Sequence, residues 1–371
     1  MNKVLIIGGG VIGLSIAREL SKKGIKHITI LERGKVGRES SYAAGGMLAP
    51  YAETTKFDDF FHFCDESLHL YSNFAEQLFD ETGVDIELDK SGTLLLAFNE
   101  HDAAEIRQRY EWQKSSGLAV EKLSATEIHK IEPFVSPDVI EGLSFPNDWQ
   151  VENRKLLEAL QKYCELNEID IFENTEITKF LSENGKNVGA ETNSAKFFAE
   201  TVILATGAWT SLIQTDDFLL PKVKPIRGQM IEFRTAKRLF SKVIYSSRGY
   251  LIPRQNGRIL AGATSEDVGF DRSLTDFETE ILRETALEIA PSLVNLEINE
   301  KWTGFRPFAL DGLPILGEIA ENLFIATAHY RNGILLAPIT AKILAEKVVN
   351  NSDSRYFEAF GHHRFQAKVV G

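Results

Sequence analysis

Arg306 is the side chain best suited to bind a small carboxylate. It lies in the run 302–307 (WTGFRP), where we expect the end of a rigid strand. A planar guanidinium binds a carboxylate through two parallel hydrogen bonds. The chain carries 41 basic and 53 acidic residues, so an anionic ligand needs a local cation of this kind. An ion pair between Arg306 and Asp311 is the alternative.

The glycines at 8, 10 and 13 form a G-x-G-x-x-G pattern that can hold a diphosphate. A short strand, Lys3–Ile7, precedes them, and a helix that ends near residues 23–24 follows. Gly8 permits the tight turn, Gly10 lets the backbone approach the diphosphate, and Gly13 allows close packing of helix on strand. A glycine-rich turn in a fold that binds no nucleotide is the alternative.

Glu32 follows the predicted strand His27–Leu31 and lies 19 residues beyond Gly13. At this spacing a carboxylate can accept both hydroxyl groups of a ribose. The first 32 residues therefore predict a site for an adenine nucleotide without a 2′-phosphate.

Three further segments could meet the same nucleotide. In 38–48 (RESSYAAGGML), small residues let the backbone approach a bulky planar group, and Ser40 and Ser41 can donate to diphosphate oxygens. The turn 205–209 (ATGAW) follows the apolar strand Thr201–Leu204, and 329–338 (HYRNGILLAP) follows the strand 323–326.

These segments resemble the D-amino-acid oxidase superfamily of FAD-dependent oxidoreductases, specifically its glycine oxidase branch. The resemblance runs from Gly8 to Pro338 and implies FAD, which we expect to be bound non-covalently because neither cysteine lies in a flavin-facing C-terminal segment. It implies that N–H groups at the start of the C-terminal helix face flavin N1 and the C2 carbonyl. The cofactor contacts expected in all are Gly8, Gly10, Val11, Ile12, Gly13, Glu32, Arg33, Ser40, Ser41, Gly45, Gly46, Met47, Ile177, Ala205, Gly207, His329, Tyr330, Arg331, Asn332, Gly333, Ile334 and Leu335.

The resemblance implies oxidative deamination of glycine or another small primary or secondary amino acid, such as sarcosine or a small D-amino acid. A hydride passes from Cα to flavin N5, and O2 reoxidises the flavin to give H2O2. The imine product fits thiazole synthesis for thiamine. Arg306, Tyr250 and Arg331 match the substrate side, although Tyr250 could be an ordinary strand aromatic.

Several residues leave the identity of the substrate open. Arg248 is an extra cation near Tyr250 that could favour a second carboxylate, and Phe308 could narrow the pocket or lie outside it. Glu53 could attract the substrate ammonium or be a solvated loop acid. Met47 could pack on the flavin ring or in the core.

Two other functions also remain open. One is a D-amino-acid or hydroxyproline dehydrogenase that passes electrons to a quinone or carrier. The other is a flavoprotein without catalytic activity.

The composition narrows the partners. The net charge is −12 and no basic run stands out, so we expect no nucleic acid. No uninterrupted apolar stretch of about 20 residues predicts a membrane span. Cys64 and Cys164 lack the spacing of a metal or redox pair, so we expect no metal and a cytoplasmic protein. A homo-oligomer is left open.

The elements that must position these residues predict an α/β fold in two interleaved parts. A Rossmann-like FAD-binding domain, a mixed parallel sheet with helices, is expected from 1–85, 150–220 and 320–371. An α+β substrate-binding domain on a mostly antiparallel sheet is expected from 86–149 and 221–319, with one strand at 295–304.

Overall fold

The computed structural model describes residues 3–215 and 220–365, which form helices and four sheets. The strands are β1 (Lys3–Ile7), β2 (His27–Leu31), β3 (Met47–Leu48), β4 (Thr93–Ala97), β5 (Glu121–Ser124), β6 (Glu141–Phe145), β7 (Trp149–Gln150), β8 (Asp170–Phe172), β9 (Ile177–Glu183), β10 (Lys186–Thr192), β11 (Lys196–Phe198), β12 (Thr201–Leu204), β13 (Val223–Arg234), β14 (Val243–Tyr245), β15 (Tyr250–Pro253), β16 (Arg258–Gly262), β17 (Glu300–Ala309), β18 (Ile315–Ala320) and β19 (Leu323–Thr327).

The α-helices are α1 (Val11–Lys22), α2 (Ser40–Ala43), α3 (Pro50–Glu53), α4 (Asp59–Thr82), α5 (Glu100–Ser115), α6 (Ala125–Ile131), α7 (Asn153–Leu166), α8 (Asp276–Ile289), α9 (Gly333–Asn350) and α10 (Arg355–Phe360). Short 3₁₀ helices lie at Gly207–Leu212, Pro291–Leu293 and His362–Phe365.

The six-stranded sheet has the order β18-β19-β12-β1-β2-β8, and only β18 runs antiparallel to its neighbour. Side chains alternate across β1, so Val4 and Ile6 join one apolar cluster and Leu5 and Ile7 join another. Helices α1, α4, α7 and α9 pack together on one face, and the β9–β11 sheet contacts the strands on the other. Because both faces are covered, β1 is apolar at nearly every position.

The eight-stranded sheet has the order β17-β13-β16-β15-β14-β4-β6-β5 and is antiparallel except for the β14–β4 pair. Its long ladder joins β13 to β17 and places Gly304 opposite Gly228. The predicted α/β architecture is therefore confirmed. Among the described residues, no helix combines the length and apolar character needed to cross a membrane.

The strand predicted at 295–304 is wrong in position, because the ladder with β13 begins at Glu300 and continues to Ala309. The misleading pattern was the alternation of Leu296 and Ile298. These two side chains pack against the apolar cluster beneath α8 without a ladder partner. Phe308 consequently lies within the strand.

The division into two interleaved parts stays a prediction. The strand β18 pairs with β19 in the six-stranded sheet, so we would move the last boundary from 319/320 to just before Ile315. Parts of the predicted ranges, namely residues 1–2, 216–219 and 366–371, lie outside the described residues.

Gly13 sets how closely α1 approaches the turn after β1. A Cβ at this position would overlap the carbonyl oxygen of Gly8, which is backbone and cannot move independently. We therefore expect Gly13→Ala to destabilise the protein by about 3 kcal/mol, which thermal or urea unfolding would measure. Gly34→Ala is the matched control, because its Cβ would meet nothing nearer than a Glu32 oxygen at 3.7 Å. Equal midpoints for the two variants would contradict this packing argument.

Candidate active site

One continuous cavity of about 450 Å³ joins the glycine loop to the antiparallel sheet. All the cofactor residues predicted from the sequence line it except Gly13 and Leu335. Gly13 lies against the Gly8 carbonyl, and Leu335 is buried in the first turn of α9. Of the predicted substrate residues, Tyr250, Arg306 and Arg331 all line the same cavity. The structure thus brings together segments that are far apart in the sequence.

The start of α1 forms one end of the cavity. Gly8 has a φ of +113°, a backbone conformation that favours glycine. The Val11 N–H donates to the Ser41 Oγ at 3.0 Å, which leaves the Ser41 proton free for a ligand. Ser40 differs from the prediction, because its hydroxyl donates to the backbone carbonyl of Phe305. Only one of the two predicted serine donors is therefore available.

The Glu32 carboxylate is fixed by two backbone donors. One oxygen accepts from the Gly9 N–H at 2.9 Å, and the other accepts from the Gly34 N–H at 2.8 Å. Burial raises the pKa of this carboxyl, while the two N–H donors act in the opposite direction. Beside it, the Arg33 guanidinium lies 4.4 Å from the centre of the Trp209 ring, which also lines the cavity. This geometry leaves acceptor sites on a rigidly held acid.

The start of α9 forms another wall. No side chain caps this helix at Asn332, so its first-turn N–H groups have no partner within the helix. Ala328 and Tyr330 have positive φ angles of 57° and 46°, which turn the chain sharply from β19 into the helix. Buried His329 lies between them, with its Nε2 3.1 Å from the Thr340 Oγ1. Burial lowers the pKa of His329 to about 3, so the imidazole is neutral.

Arg306 lies flat over β13 at the opposite end of the cavity. A Cβ on Gly228 would lie 2.5 Å from the Arg306 Nη1, so only glycine leaves room for the guanidinium here. The Arg306 Nη1 also donates a hydrogen bond to the Thr264 carbonyl at 2.9 Å. Burial raises the pKa of the adjacent Tyr250 phenol, although the Arg306 charge lowers it. The phenol therefore keeps its proton and can donate.

Tyr245, which the sequence analysis missed, contacts two residues of the cavity lining. Its hydroxyl is 2.9 Å from a Glu53 oxygen and 2.8 Å from the Met47 sulfur. Arg331 donates to the same Glu53 oxygen at 3.1 Å, and this carboxylate raises the pKa of Arg331. Tyr245 lies directly opposite Tyr250 in the hairpin β14–β15, so both rings share a face with centroids 5.5 Å apart. In the sequence, the two tyrosines that flank the turn 246–249 (SSRG) could have indicated that Tyr245 lies beside Tyr250.

Two buried groups hold the short helix α3, which carries Glu53. The Asp148 oxygens accept from the N–H groups of Tyr51 and Ala52 at 3.0 and 2.9 Å. Gln113 donates to the Tyr51 carbonyl at 2.9 Å. The sequence offers no signal for this arrangement, because the partners lie 60 to 100 residues apart.

Two of the residues that left the identity of the substrate open, Arg248 and Phe308, lie outside the cavity, whereas Glu53 and Met47 line it. Arg248 is half exposed and pairs with Glu288 on α8 at 2.8 Å, so it does not supply a second cation to the site. The Phe308 ring packs against Tyr330, with centroids 4.9 Å apart, and does not narrow the cavity. Asp311 pairs with Arg364 at 2.7 Å, so the alternative ion pair with Arg306 is wrong.

Comparisons with known proteins give one family. A family model described as FAD dependent oxidoreductase (DAO) matches residues 3–347. The chain is 36% identical to the bifunctional protein ThiO/ThiG of Trichormus variabilis over 371 residues, which cover 99% of this chain and 55% of that protein. It therefore spans about half the length of that relative. Glycine oxidase of Geobacillus kaustophilus is 32% identical, with 99% and 98% of the two chains covered.

The crystal structure of glycine oxidase from Geobacillus kaustophilus superimposes with a TM-score of 0.92 at 30% identity. The superposition covers 100% of this chain and 99% of that one. The likeness thus extends over both large sheets and the cavity between them.

The neutral state of His329 predicts a pH dependence. In the unfolded chain a histidine takes up a proton below about pH 6.5, whereas in the folded protein this happens only near a pKa of about 3. The unfolded state therefore binds more protons in this range, and stability falls by up to about 1.4 kcal/mol per pH unit as pH drops from 6.5. We expect His329→Gln to make this slope shallower in urea unfolding between pH 6 and 4. The same substitution at exposed His101 is the control, and identical slopes for both would refute the assignment.

Proposed function

Because the chain belongs to the DAO family of FAD-dependent oxidoreductases, we propose that it oxidises glycine or another small amino acid to the imine. The observation that carries this proposal is that the Arg306 guanidinium lacks an acidic partner in the described part of the chain. Among the described side chains it has no acidic partner, yet it lines the cavity beside the proton-bearing phenol of Tyr250. An unpaired, partly buried guanidinium is costly unless an anion binds it.

The predicted dependence on FAD is confirmed by the family, and the cavity fits this cofactor on its own geometry. The start of α1 with Gly10 and Ser41 would hold the diphosphate, and Glu32 would accept the ribose hydroxyls. The uncapped start of α9 would meet the flavin. Cys64 and Cys164 are both free, buried and absent from the cavity lining, which supports non-covalent binding.

Bound FAD would supply the acceptor for the hydride of the substrate α-carbon, and O2 would take up the two electrons together with two protons to give hydrogen peroxide. The protein has to position the substrate. Arg306 binds its carboxylate through two hydrogen bonds, and Tyr250 donates a third. A neutral amine then needs no dedicated general base, which agrees with a Glu53 that is already paired to Arg331 and Tyr245.

The pairing of Arg331 with Glu53 also bears on substrate choice. With Arg331 neutralised, Arg306 is the one cation at this end that lacks an acidic partner among the described residues. A substrate with one carboxylate matches this arrangement, and a second carboxylate would have to displace Glu53. We therefore favour glycine, sarcosine and small D-amino acids over acidic substrates.

The wider role rests on the relatives. The name ThiO/ThiG and the imine product support a role in thiazole synthesis for thiamine. Two free cysteines in the core suit a reducing compartment, which supports a cytoplasmic location. Homo-oligomerisation stays a prediction.

The decisive experiment mixes purified, FAD-loaded protein with glycine, sarcosine, D-alanine and D-proline under anaerobic conditions. We expect at least one of them to bleach the flavin absorbance, because Arg306 and Tyr250 hold a carboxylate beside the ring. Admission of air should restore the absorbance and produce peroxide. Bleaching without rapid reoxidation would instead indicate a dehydrogenase that uses another acceptor, and no bleaching by any of the four would exclude the proposed activity.

We expect substrate binding to require both the Arg306 guanidinium and the space that Gly228 leaves for it. We expect Arg306→Ala to lower kcat/KM for glycine by about 10- to 150-fold, the loss of a charge-assisted hydrogen-bond pair worth about 1.5–3 kcal/mol. Gly228→Ala should raise KM and so also lower kcat/KM, because its Cβ displaces the guanidinium while the fold is kept. Arg248→Ala is the control and should leave both constants unchanged, since Arg248 lies outside the cavity. Steady-state peroxide assays give both constants, and an unaltered KM in Gly228→Ala would contradict the geometry.

A further inference from the structure

The helix α9 contains a proline in its second turn. Pro338 has no N–H, so it cannot donate to the carbonyl of Ile334, which is its partner in a regular α-helix. Both residues are buried. A buried carbonyl without a donor costs about 1–3 kcal/mol. The chain must therefore supply a donor from elsewhere.

Two hydroxyl groups on α4 supply donors to this part of α9. The Tyr71 hydroxyl donates to the carbonyl of Ile334, the group that Pro338 leaves without a backbone partner. One turn earlier on α4, the Ser67 hydroxyl donates to the carbonyl of Leu335 at 2.6 Å. Both side chains are fully buried and neither lines the cavity. Burial raises the pKa of Tyr71, so its hydroxyl keeps the proton that it donates.

The Ile334 carbonyl and the Leu335 N–H belong to the same peptide group. That N–H is in the first turn of α9, where no side chain caps the helix, and Ile334 itself lines the cavity. A hydrogen bond accepted by a peptide carbonyl polarises its N–H and makes it a better donor. The Tyr71 hydroxyl is thus connected to the cavity through one peptide group.

We propose that Tyr71 is a positioning residue for the cofactor: its hydroxyl replaces the backbone donor that Pro338 removes, and so orients and polarises the peptide group Ile334–Leu335 at the wall of the cavity. This inference rests on the proposed function, because the ligand that it concerns is FAD. A stronger N–H donor favours the reduced flavin, which carries the more negative charge. Tyr71 would therefore raise the reduction potential without touching the flavin.

The test measures the midpoint potential of the bound flavin in Tyr71→Phe. We expect the midpoint potential to fall by up to about 30 mV, which for a two-electron couple corresponds to a tenfold smaller ratio of reduced to oxidised flavin. Tyr163→Phe is the matched control, since it removes another buried hydroxyl, one that contacts Ser21 at 3.4 Å on α1. Its potential should equal that of the parent. A Tyr71→Phe protein with the parent's potential would overturn the inference.

A rescue experiment separates this role from a loss of general stability. Pro338→Ala introduces an N–H that can donate to the Ile334 carbonyl, so in this background Tyr71→Phe should have little effect on the potential. If Tyr71→Phe alone does not fold or retain FAD, the double variant should recover both. A double variant that stays as impaired as Tyr71→Phe would overturn the inference. If instead the parent protein binds no FAD, the proposed function itself fails, which is a distinguishable outcome.

Discussion

Buried helix starts need an acceptor for their N–H groups, and this requirement underlies the whole site. Both α1 and α9 begin at the cavity without a side-chain cap from their own N-cap residue. Such groups are stable in an interior when an anion or a polar ring meets them. Glu32, held rigidly by the backbone of Gly9 and Gly34, adds the acceptors that hydroxyl groups require. An adenine dinucleotide with a polar flavin ring satisfies both demands at once.

The eight-stranded sheet contributes the proposed substrate-binding end of the same cavity. Its ladder β13–β17 has glycine at 228, which lets the Arg306 side chain lie across the sheet instead of rising from it. The hairpin β14–β15 then places two tyrosines next to that cation and next to Glu53. The proposed preference for one carboxylate thus rests on backbone spacing and on the internal pairing of Arg331, which leaves one guanidinium without an acidic partner among the described side chains.

Local patterns in the sequence predicted the cofactor segments, because each is a short run whose glycines or apolar alternation has a direct physical meaning. Sequence reasoning was weaker wherever a side chain had to choose among distant partners. Ser40 donates to the Phe305 carbonyl 265 residues away, and Arg248 pairs with Glu288 on helix α8. Leu296 and Ile298 alternate like a strand, yet they pack without pairing. The substrate-binding roles of Arg306 and Arg331 stay proposals, as does the role of each cofactor contact.

The order of strands in the six-stranded sheet has a consequence for how the protein is made. The glycine loop follows β1, but β1 pairs with β12, which in turn pairs with β19, whose first residue comes 316 positions after Ile7. At ribosomal speeds of about 5–20 residues per second, roughly 15–60 s separate the two strands. Throughout that interval the most recognisable motif of the chain lacks the neighbours that complete its binding site. During synthesis, the complete nucleotide site can therefore form only after β19 and α9 have been made.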